Sequence, residues 1–282
     1  MSIAASAAPC RHVGSPPVAV VQKVAEAIGL LAEHPDVLAR FGISATEFTS
    51  ALPSAIESIR GSMSASNAGR RNFLTGLLGN IVDQGLATKL TTPSYGDDTV
   101  YRLDVPGIGA VAIIQKGCPD GAHSSLSWNV PAWAQETYLW WLCSSLNAHP
   151  GEHIVKGVNR LRQRFFSDSP GVLSGIIFQN ELCGSSIRPC PKQEHATLVG
   201  RNFVPAPCIY TMPERDGLAQ SWNWSGERVL EFPAILLRAF GIAPSDAHAF
   251  VGFVGFQRRE NGAIRTAVTT RFGAGRSSTH RS

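Results

Sequence analysis

The feature that most constrains the fold is a pair of β-forming runs at residues 97–105 and 110–117, separated by the sequence Pro-Gly-Ile-Gly. Apolar and β-branched residues on both sides of a Pro/Gly turn predict a β-hairpin. The second run, AVAIIQKG, is apolar up to its last three residues, which is typical of a strand buried within a sheet. We therefore expect other elements to pack on this hairpin.

The length of the turn sets which side chains of the hairpin share a face. If residues 106–109 form the loop, Asp104 lies opposite Val111. Because side chains alternate along a strand, this register predicts that Asp104 and Gln115 share the more polar face. Lys116 then points to the opposite face.

Periodic apolar residues elsewhere in the chain predict helices and three more strands. The helices are expected at residues 17–40, 45–59, 71–85, 129–148, 152–166 and 232–240, and the strands at 174–182, 248–258 and 263–272. Ser44 and Glu47, which precede and begin the second helix, have the spacing of a capping box. This order predicts an α/β (α+β) fold, in which a mixed central β-sheet is flanked by helices and the N-terminal third is helical.

The chain divides into four regions by composition. Residues 1–17 form a loose tail rich in Ala, Ser and Pro, residues 18–92 a helical region, residues 93–182 a mixed-sheet core, and residues 183–282 a loop-rich region with a late β-hairpin. An Asn-Gly dipeptide within the last region is a strong hairpin signal. We expect all four regions to belong to one compact domain.

Composition restricts the classes of protein to which the chain can belong. Its 282 residues are 44% hydrophobic and 16% charged, which is typical of a globular protein with a sizeable core. No apolar run reaches the length of about 18 residues that a membrane span needs, and no secretory signal is recognisable. Six scattered cysteines predict reduced thiols and a cytoplasmic location. The net charge of +4 permits a nucleic-acid partner without requiring one.

The polar residues that end the second hairpin strand are candidates for chemistry. Gln115 and Lys116 are followed closely by Asp120 and His123. A carboxylate and an amide on one strand face, with a lysine beside them, indicate a metal and water site, and a histidine titrates near neutral pH. The alternative is a half-exposed hairpin with a polar outer face, followed by an ordinary turn.

The hairpin resembles the catalytic hairpin of nucleases that share the Pro-Asp…(Asp/Glu)-x-Lys pattern, a superfamily with many type II restriction endonucleases. Asp104 matches the first acid, which in that family binds Mg²⁺. Gln115 and Lys116 match the residue that positions the attacking water. The resemblance therefore implies that Asp104, Gln115 and Lys116 are catalytic and that the reaction is metal-assisted hydrolysis of a phosphodiester. Asp120 and His123, which follow closely in the chain, complete the candidate catalytic set.

The chain departs from that pattern at the second acid. The matching positions hold Ile113 and Ile114, whereas Mg²⁺ prefers several hard oxygen ligands. We expect Asp120 to complete the metal site with Asp104. Asp83 and Glu136 are the alternative sources of the second carboxylate.

Cationic residues predict where DNA would bind. His153, Lys156, Arg160 and Arg164 recur every three or four residues along a predicted helix, opposite its apolar face. Such a stripe binds phosphates by charge neutralisation. Arg188 and Lys192, in a cysteine- and proline-rich loop, are candidates for reading bases. The alternative for the helix is a solvated surface.

Two further sets of residues are left open by the sequence. Cys183, Cys190, His195 and Cys208 carry ligand types that suit Zn²⁺, but the spacing of the first two is wider than that of a Cys-x₂₋₄-Cys hook. Trp140 and Trp141 lie in the predicted helix at 129–148. Adjacent residues of a helix cannot share a face, so we expect one of them to pack against another element.

Together these features favour a Mg²⁺-dependent endonuclease that cuts double-stranded DNA as a homodimer, because a twofold protein matches a palindromic site. One alternative is a non-catalytic DNA-binding or protein-interaction module on a similar fold. Another is a small-molecule enzyme that uses Asp120 and His123. The position of the second carboxylate distinguishes the nuclease from the binding module.

Overall fold

A computed structural model describes residues 18–30, 36–62, 67–94, 99–117, 128–143, 150–166, 173–180, 195–199, 202–214, 230–270 and 277–282. Its helices are α1 (Val18–Leu30), α2 (Val37–Arg40), α3 (Ala45–Ser62), α4 (Asn67–Asp83), α5 (Pro150–Phe165) and α6 (Glu231–Arg238), with a 3₁₀ turn at Pro244–Ala249. None of the helices within these residues is long and apolar enough to cross a bilayer.

The strands form one large sheet and one small hairpin. They are β1 (Lys89–Thr91), β2 (Val100–Val105), β3 (Gly109–Lys116), β4 (Glu136–Cys143), β5 (Gly175–Asn180), β6 (Ala196–Val199), β7 (Asn202–Pro205), β8 (Cys208–Thr211), β9 (Val251–Arg258), β10 (Ile264–Thr270) and β11 (Ser278–Arg281). The large sheet has the order β1-β2-β3-β4-β5-β8-β9-β10-β11, and β6 pairs with β7. Its central strands β3, β4 and β5 are parallel, while antiparallel pairs predominate elsewhere.

Helices cover the large sheet on both faces, which confirms the mixed α+β class. On one face, α4 and α6 pack on β2–β5 and β8 in a core that includes Leu78, Phe232 and Trp140. On the other, α5 packs in a second core that includes Val158 and Trp141. We call these the α4/α6 face and the α5 face. The sheet crosses the boundaries expected at residues 92/93 and 182/183, since β1 pairs with β2 and β5 pairs with β8.

The helix expected at residues 129–148 is wrong, because this segment contains strand β4. Residues 138–141 of this strand are all large and apolar, because helices cover the sheet on both faces and the side chains on each face are buried. Tyr138 and Trp140 enter the core under α4 and α6, whereas Leu139 and Trp141 enter the core under α5. The two tryptophans therefore point in opposite directions by the alternation of a strand.

The hairpin forms, but its turn is one residue shorter than expected. Val105 pairs with Gly109 and Asp104 pairs with Ala110, so the expected pairing of Asp104 with Val111 is wrong. Gly107 and Gly109 have φ of 84° and 97°, values that side chains with a Cβ rarely adopt. A shift of one residue moves every side chain of β3 to the other face relative to β2.

The first three helices share a small core that contains Val24, Ile43 and Ala55. The capping box is confirmed: the amide of Ser44 donates to Glu47 Oε2 at 2.9 Å, and the Glu47 amide donates to Ser44 Oγ at 3.2 Å. Hydrogen bonds from Ser44 lower the pKa of Glu47, and the bond from the Ser44 backbone amide has the largest effect. The single helix expected over residues 17–40 is wrong, because α1 ends at Leu30 and α2 begins at Val37.

The late hairpin is confirmed as β9 and β10, with Gly262 at a φ of 80° in its turn. No element was predicted for the polar C-terminal residues, and Ser278–Arg281 adds β11 to the edge of the sheet. Short polar edge strands carry little periodic signal, which explains why this one was missed.

Candidate nucleic-acid interface

Helix α5 presents cations on the side away from the sheet. Ile154, Val158 and Leu161 are buried under the helix. Lys156 and Arg160 are exposed on its outer side, and Arg164 continues the row at the C-terminal end. At 1.5 Å per residue, the row extends about 12 Å from Lys156 to Arg164. Phosphates of a nucleic-acid backbone are natural partners for such a row.

His153 does not belong to this exposed row, contrary to expectation. Its side chain is buried, and its ring lies 5.5 Å from the ring of Phe178. The helix therefore uses His153 in its contact with the sheet. Lys156 is exposed beside Glu152 at 3.4 Å, in an i,i+4 pair that solvent weakens.

The C-terminal end of α5 carries an arginine stacked on a tryptophan. The guanidinium of Arg164 lies 4.7 Å from the ring centroid of Trp128. Arg164 Nη2 also donates to the carbonyl oxygen of Trp128 at 2.9 Å, which fixes the orientation of the pair. The ring centroid of Phe165, the last residue of α5, is 5.4 Å from that of Trp128. These contacts order the chain at Trp128 against α5.

A second arginine–tryptophan pair lies farther along the same loop. Arg102 places its guanidinium 5.2 Å from the ring centroid of Trp133, and its Nε donates to Asp104 Oδ1 at 2.9 Å. Trp133 is 37% exposed, one of two large apolar side chains with such exposure among the residues described. Lys89 lies directly across from Asp104 on β1.

Both pairs lie on the α5 face of the sheet. Arg102 is opposite Ala112, and Ile114, two residues farther on, belongs to the core under α5. The loop at 128–135 therefore lies on the same side of the sheet as α5, which contacts β10 and β11. Five cations and two tryptophans lie on this side of the sheet, and we call them the aromatic–basic surface: Lys89, Arg102, Trp128, Trp133, Lys156, Arg160 and Arg164.

Of the residues expected to form a catalytic set, the three that the structure describes, Asp104, Gln115 and Lys116, do not converge. Gln115 is buried on the α4/α6 face, where Tyr101 Oη donates to its Oε1 at 3.0 Å. Asp104 lies on the α5 face, so the expectation that the two share a face is wrong. Lys116 shares the face of Asp104, but Ala110, opposite Asp104, is six residues earlier in β3, a distance of about 20 Å along a strand.

The alternative carboxylates do not reach Asp104 either. Glu136 pairs in register with Val111 and accepts a hydrogen bond from Tyr138 on the α4/α6 face. Asp83 ends α4, which packs on that same face. Asp120 and His123 lie outside the described residues. Within the part of the chain that the structure describes, no three His, Cys, Asp or Glu side chains come together.

The buried Tyr101–Gln115 pair is a structural element of the α4/α6 face. Tyr101 Oη lies 3.4 Å from the carbonyl oxygen of Arg71 in α4, so the phenol connects the helix to β3. Burial raises the pKa of Tyr101, while a hydrogen bond with Thr75 and the charge of Arg71 act in the opposite direction. The phenol therefore stays neutral and donates at neutral pH.

A zinc site that uses both His195 and Cys208 does not fit the fold. Cys208 is buried in the core on the α5 face. His195 lies edge-on to Phe250 at 5.4 Å, and Phe250 belongs to the core on the α4/α6 face. Cys183, Cys190, Arg188 and Lys192 lie outside the described residues.

Sequence reasoning missed Arg102, Trp128 and Trp133 as parts of a surface. The signal was present in the segment WNVPAWAQ at 128–135, where two tryptophans flank a proline outside any long apolar run. Assigning this segment to a helix hid it. No protein-family model, curated protein or solved structure matches the chain.

Proposed function

We propose that the protein binds nucleic acid through the aromatic–basic surface. The observation that carries the proposal is the row Lys156, Arg160 and Arg164 on the outer side of α5, continued by Trp128. Lysine and arginine neutralise phosphates, and aromatic rings offer apolar contact to bases or sugars. A row of cations alone is equally consistent with a solvated helix face. The arginine–tryptophan pairs favour a ligand that is both anionic and aromatic.

The local charges support the same ligand. Asp104 is engaged by Arg102 and Glu152 lies beside Lys156, so each of these carboxylates is balanced by a cation. Arg160 and Arg164 extend the positive side of α5 beyond them. An anionic polymer approaching α5 therefore meets a surface of positive charge, which accelerates encounter and is screened by salt.

Binding is tested by fluorescence anisotropy with labelled duplex and single-stranded oligonucleotides. The test variant is Lys156→Gln/Arg160→Gln, which leaves the Arg164–Trp128 contact in place. The control is Lys23→Gln/Arg238→Gln, which removes the same charge from two exposed positions on α1 and α6. The slope of log K against log salt is negative, and each lost phosphate contact makes it less negative by about 0.7 to 0.9.

The test variant is expected to bind more weakly, with a salt slope less negative by about one to two. The control variant should have an affinity and a salt slope close to those of the parent protein. Equal losses in the two variants would mean that net charge alone attracts the ligand. Absence of binding to any nucleic acid at about 50 mM salt would reject the proposed function.

Metal-dependent cleavage of double-stranded DNA is the second candidate. The observation that favours it is the position of Lys116 at the carboxyl end of β3, beside the ends of the parallel strands β4 and β5. Ligand sites of parallel sheets lie at this edge. Asp120 and His123 follow Lys116 by four and seven residues in sequence. Action as a homodimer on a palindromic duplex belongs to this candidate.

Cleavage is tested by incubating supercoiled plasmid with the protein in Mg²⁺ or in EDTA. Discrete fragments that require Mg²⁺, and that disappear with Asp120→Asn, would support the nuclease. Plasmid that stays intact in both buffers, under conditions in which the protein binds it, would leave binding as the function. Sedimentation with and without a palindromic duplex tests the dimer.

A further inference from the structure

We infer that the ligand of the aromatic–basic surface is single-stranded nucleic acid, with a base stacked on Trp133. The inference deepens the proposed function and rests on it. The sequence led to the expectation of a duplex. The loop at 128–135 points to unpaired bases because of how it presents the indole ring of Trp133.

Trp133 is held in place although the residue is partly exposed. A single exposed tryptophan is an ordinary feature of a protein surface. Here, however, the guanidinium of Arg102 lies over the ring, and Asp104 fixes the guanidinium through a hydrogen bond of 2.9 Å. The ring is thus positioned before any ligand arrives, which reduces the entropy that binding must overcome.

The loop that carries Trp133 is also fixed at both ends. Two residues later, the backbone N–H of Gln135 donates to the carbonyl oxygen of Ala110 at 2.8 Å. The side-chain Oε1 of Gln135 accepts from the backbone N–H of Ala110 at 2.7 Å. At the other end, Trp128 is held by Arg164. A loop that is held at both ends and exposes the ring of Trp133 is suited to stacking.

A duplex offers few base faces on which the ring of Trp133 could stack. Its bases stack on one another, and only their edges reach the grooves. Unpaired bases present their flat faces, which stack on aromatic side chains with little dependence on sequence. Trp128 and Trp133 are five residues apart, so a chain of at most about 17 Å separates them. The cations of α5 continue from Trp128 and can contact the phosphates of the same strand.

The experiment compares three ligands of matched charge by anisotropy: oligo-dT of about 20 nucleotides, an abasic strand of equal length, and a duplex with the same number of phosphates. The variants are Trp133→Ala and Trp133→Phe, with Lys156→Gln/Arg160→Gln as the charge variant. Thermal unfolding of each variant checks that the exposed position leaves the fold intact.

The parent protein is expected to bind oligo-dT more tightly than the abasic strand or the duplex. Trp133→Ala should weaken oligo-dT binding about tenfold and leave the abasic strand unchanged, and Trp133→Phe should restore part of the loss. The charge variant should weaken binding of all three ligands. Tighter binding of the duplex, or equal losses on oligo-dT and the abasic strand, would overturn the inference while the proposed function stands. Failure of every ligand to bind would reject both.

Discussion

Arg102 donates a hydrogen bond from its Nε to Asp104 Oδ1 at 2.9 Å while its guanidinium lies over the ring of Trp133. Asp104 therefore orients an arginine and, through it, a tryptophan. A carboxylate engaged in this way, with Lys89 across the neighbouring strand, is surrounded by positive charge. That environment differs from a Mg²⁺ site, in which several oxygen ligands concentrate negative charge.

Replacing Asp104 by Asn should have little effect on stability. The ion pair with Arg102 is partly exposed, and such pairs contribute less than about 1 kcal/mol to the free energy of unfolding. If the protein cleaves DNA, the variant should still cleave it in Mg²⁺, because Asp104 lies far along the hairpin from Lys116. Urea unfolding and the plasmid assay measure the two effects. Complete loss of Mg²⁺-dependent cleavage in a folded variant would make Asp104 a metal ligand after all.

The hairpin shows how much of a site a sequence can predict. The two strands and their turn followed from local composition, and the structure confirms them. The register did not follow, because it depends on whether Gly109 belongs to the loop or to the strand. Its φ of 97° is unusual for a strand, yet Gly109 pairs with Val105. That single residue moves Asp104 and Gln115, predicted to share a face, to opposite faces of the sheet.

Strand β4 was mistaken for a helix for a related reason. A strand buried on both faces has no polar side, so its sequence shows no alternation to separate it from a buried helix. The cores on the two sides of the sheet take Trp140 and Trp141, respectively, and both side chains are completely buried. Only the tertiary arrangement shows that two covered faces exist.

The burial of these tryptophans gives a stability prediction. Trp140→Ala and Trp141→Ala should each lower the free energy of unfolding by about 3–5 kcal/mol, because each creates a cavity in a separate core. Trp133→Ala, at an exposed position, should lower it by less than about 1 kcal/mol. Chemical denaturation of the three variants provides the comparison. Similar effects at all three positions would contradict the assignment of Trp133 to the surface.

The aromatic–basic surface was only half predictable. The row on α5 followed from helical spacing, and the structure places Lys156, Arg160 and Arg164 on the outer side of the helix. Arg102 and Trp133 are 31 positions apart in sequence, and Trp128 and Arg164 are 36 positions apart. No local pattern encodes such contacts. They require the sheet to bring β2, the loop and α5 to one face.

Tyr101 should make the stability of the protein depend on alkaline pH. Burial raises the pKa of Tyr101 above its ordinary value of 10.0, so the unfolded chain releases this proton at a lower pH than the folded protein does. The resulting stabilisation is fully present below pH 10 and is lost as the pH rises through the raised pKa.

The variant Tyr101→Phe isolates this contribution. It should lower the free energy of unfolding at neutral pH by about 1–2 kcal/mol, because Gln115 Oε1 loses its buried donor. The difference between the parent and Tyr101→Phe should shrink as the pH rises above 10, the ordinary value. Urea titrations at neutral and alkaline pH measure it. A difference that does not change with pH would mean that the phenol titrates normally.

The capping box predicts a second pH dependence, at the acidic end. The amide and hydroxyl of Ser44 donate to Glu47 at 2.9 and 2.7 Å and lower the pKa of Glu47 below its ordinary 4.5. Stabilisation from this carboxylate is present above pH 4.5 and is lost as the pH falls through the lowered pKa.

Glu47→Gln should therefore be less stable than the parent at neutral pH and approach it in acid. Ser44→Ala removes the cap from α3 and should lower the free energy of unfolding by about 1 kcal/mol at neutral pH. Because α1 and α3 share a core, helical circular dichroism during urea unfolding should report both changes. If Glu47→Gln differs from the parent by the same amount at neutral and acidic pH, its carboxylate does not act through the charge-assisted bonds to Ser44.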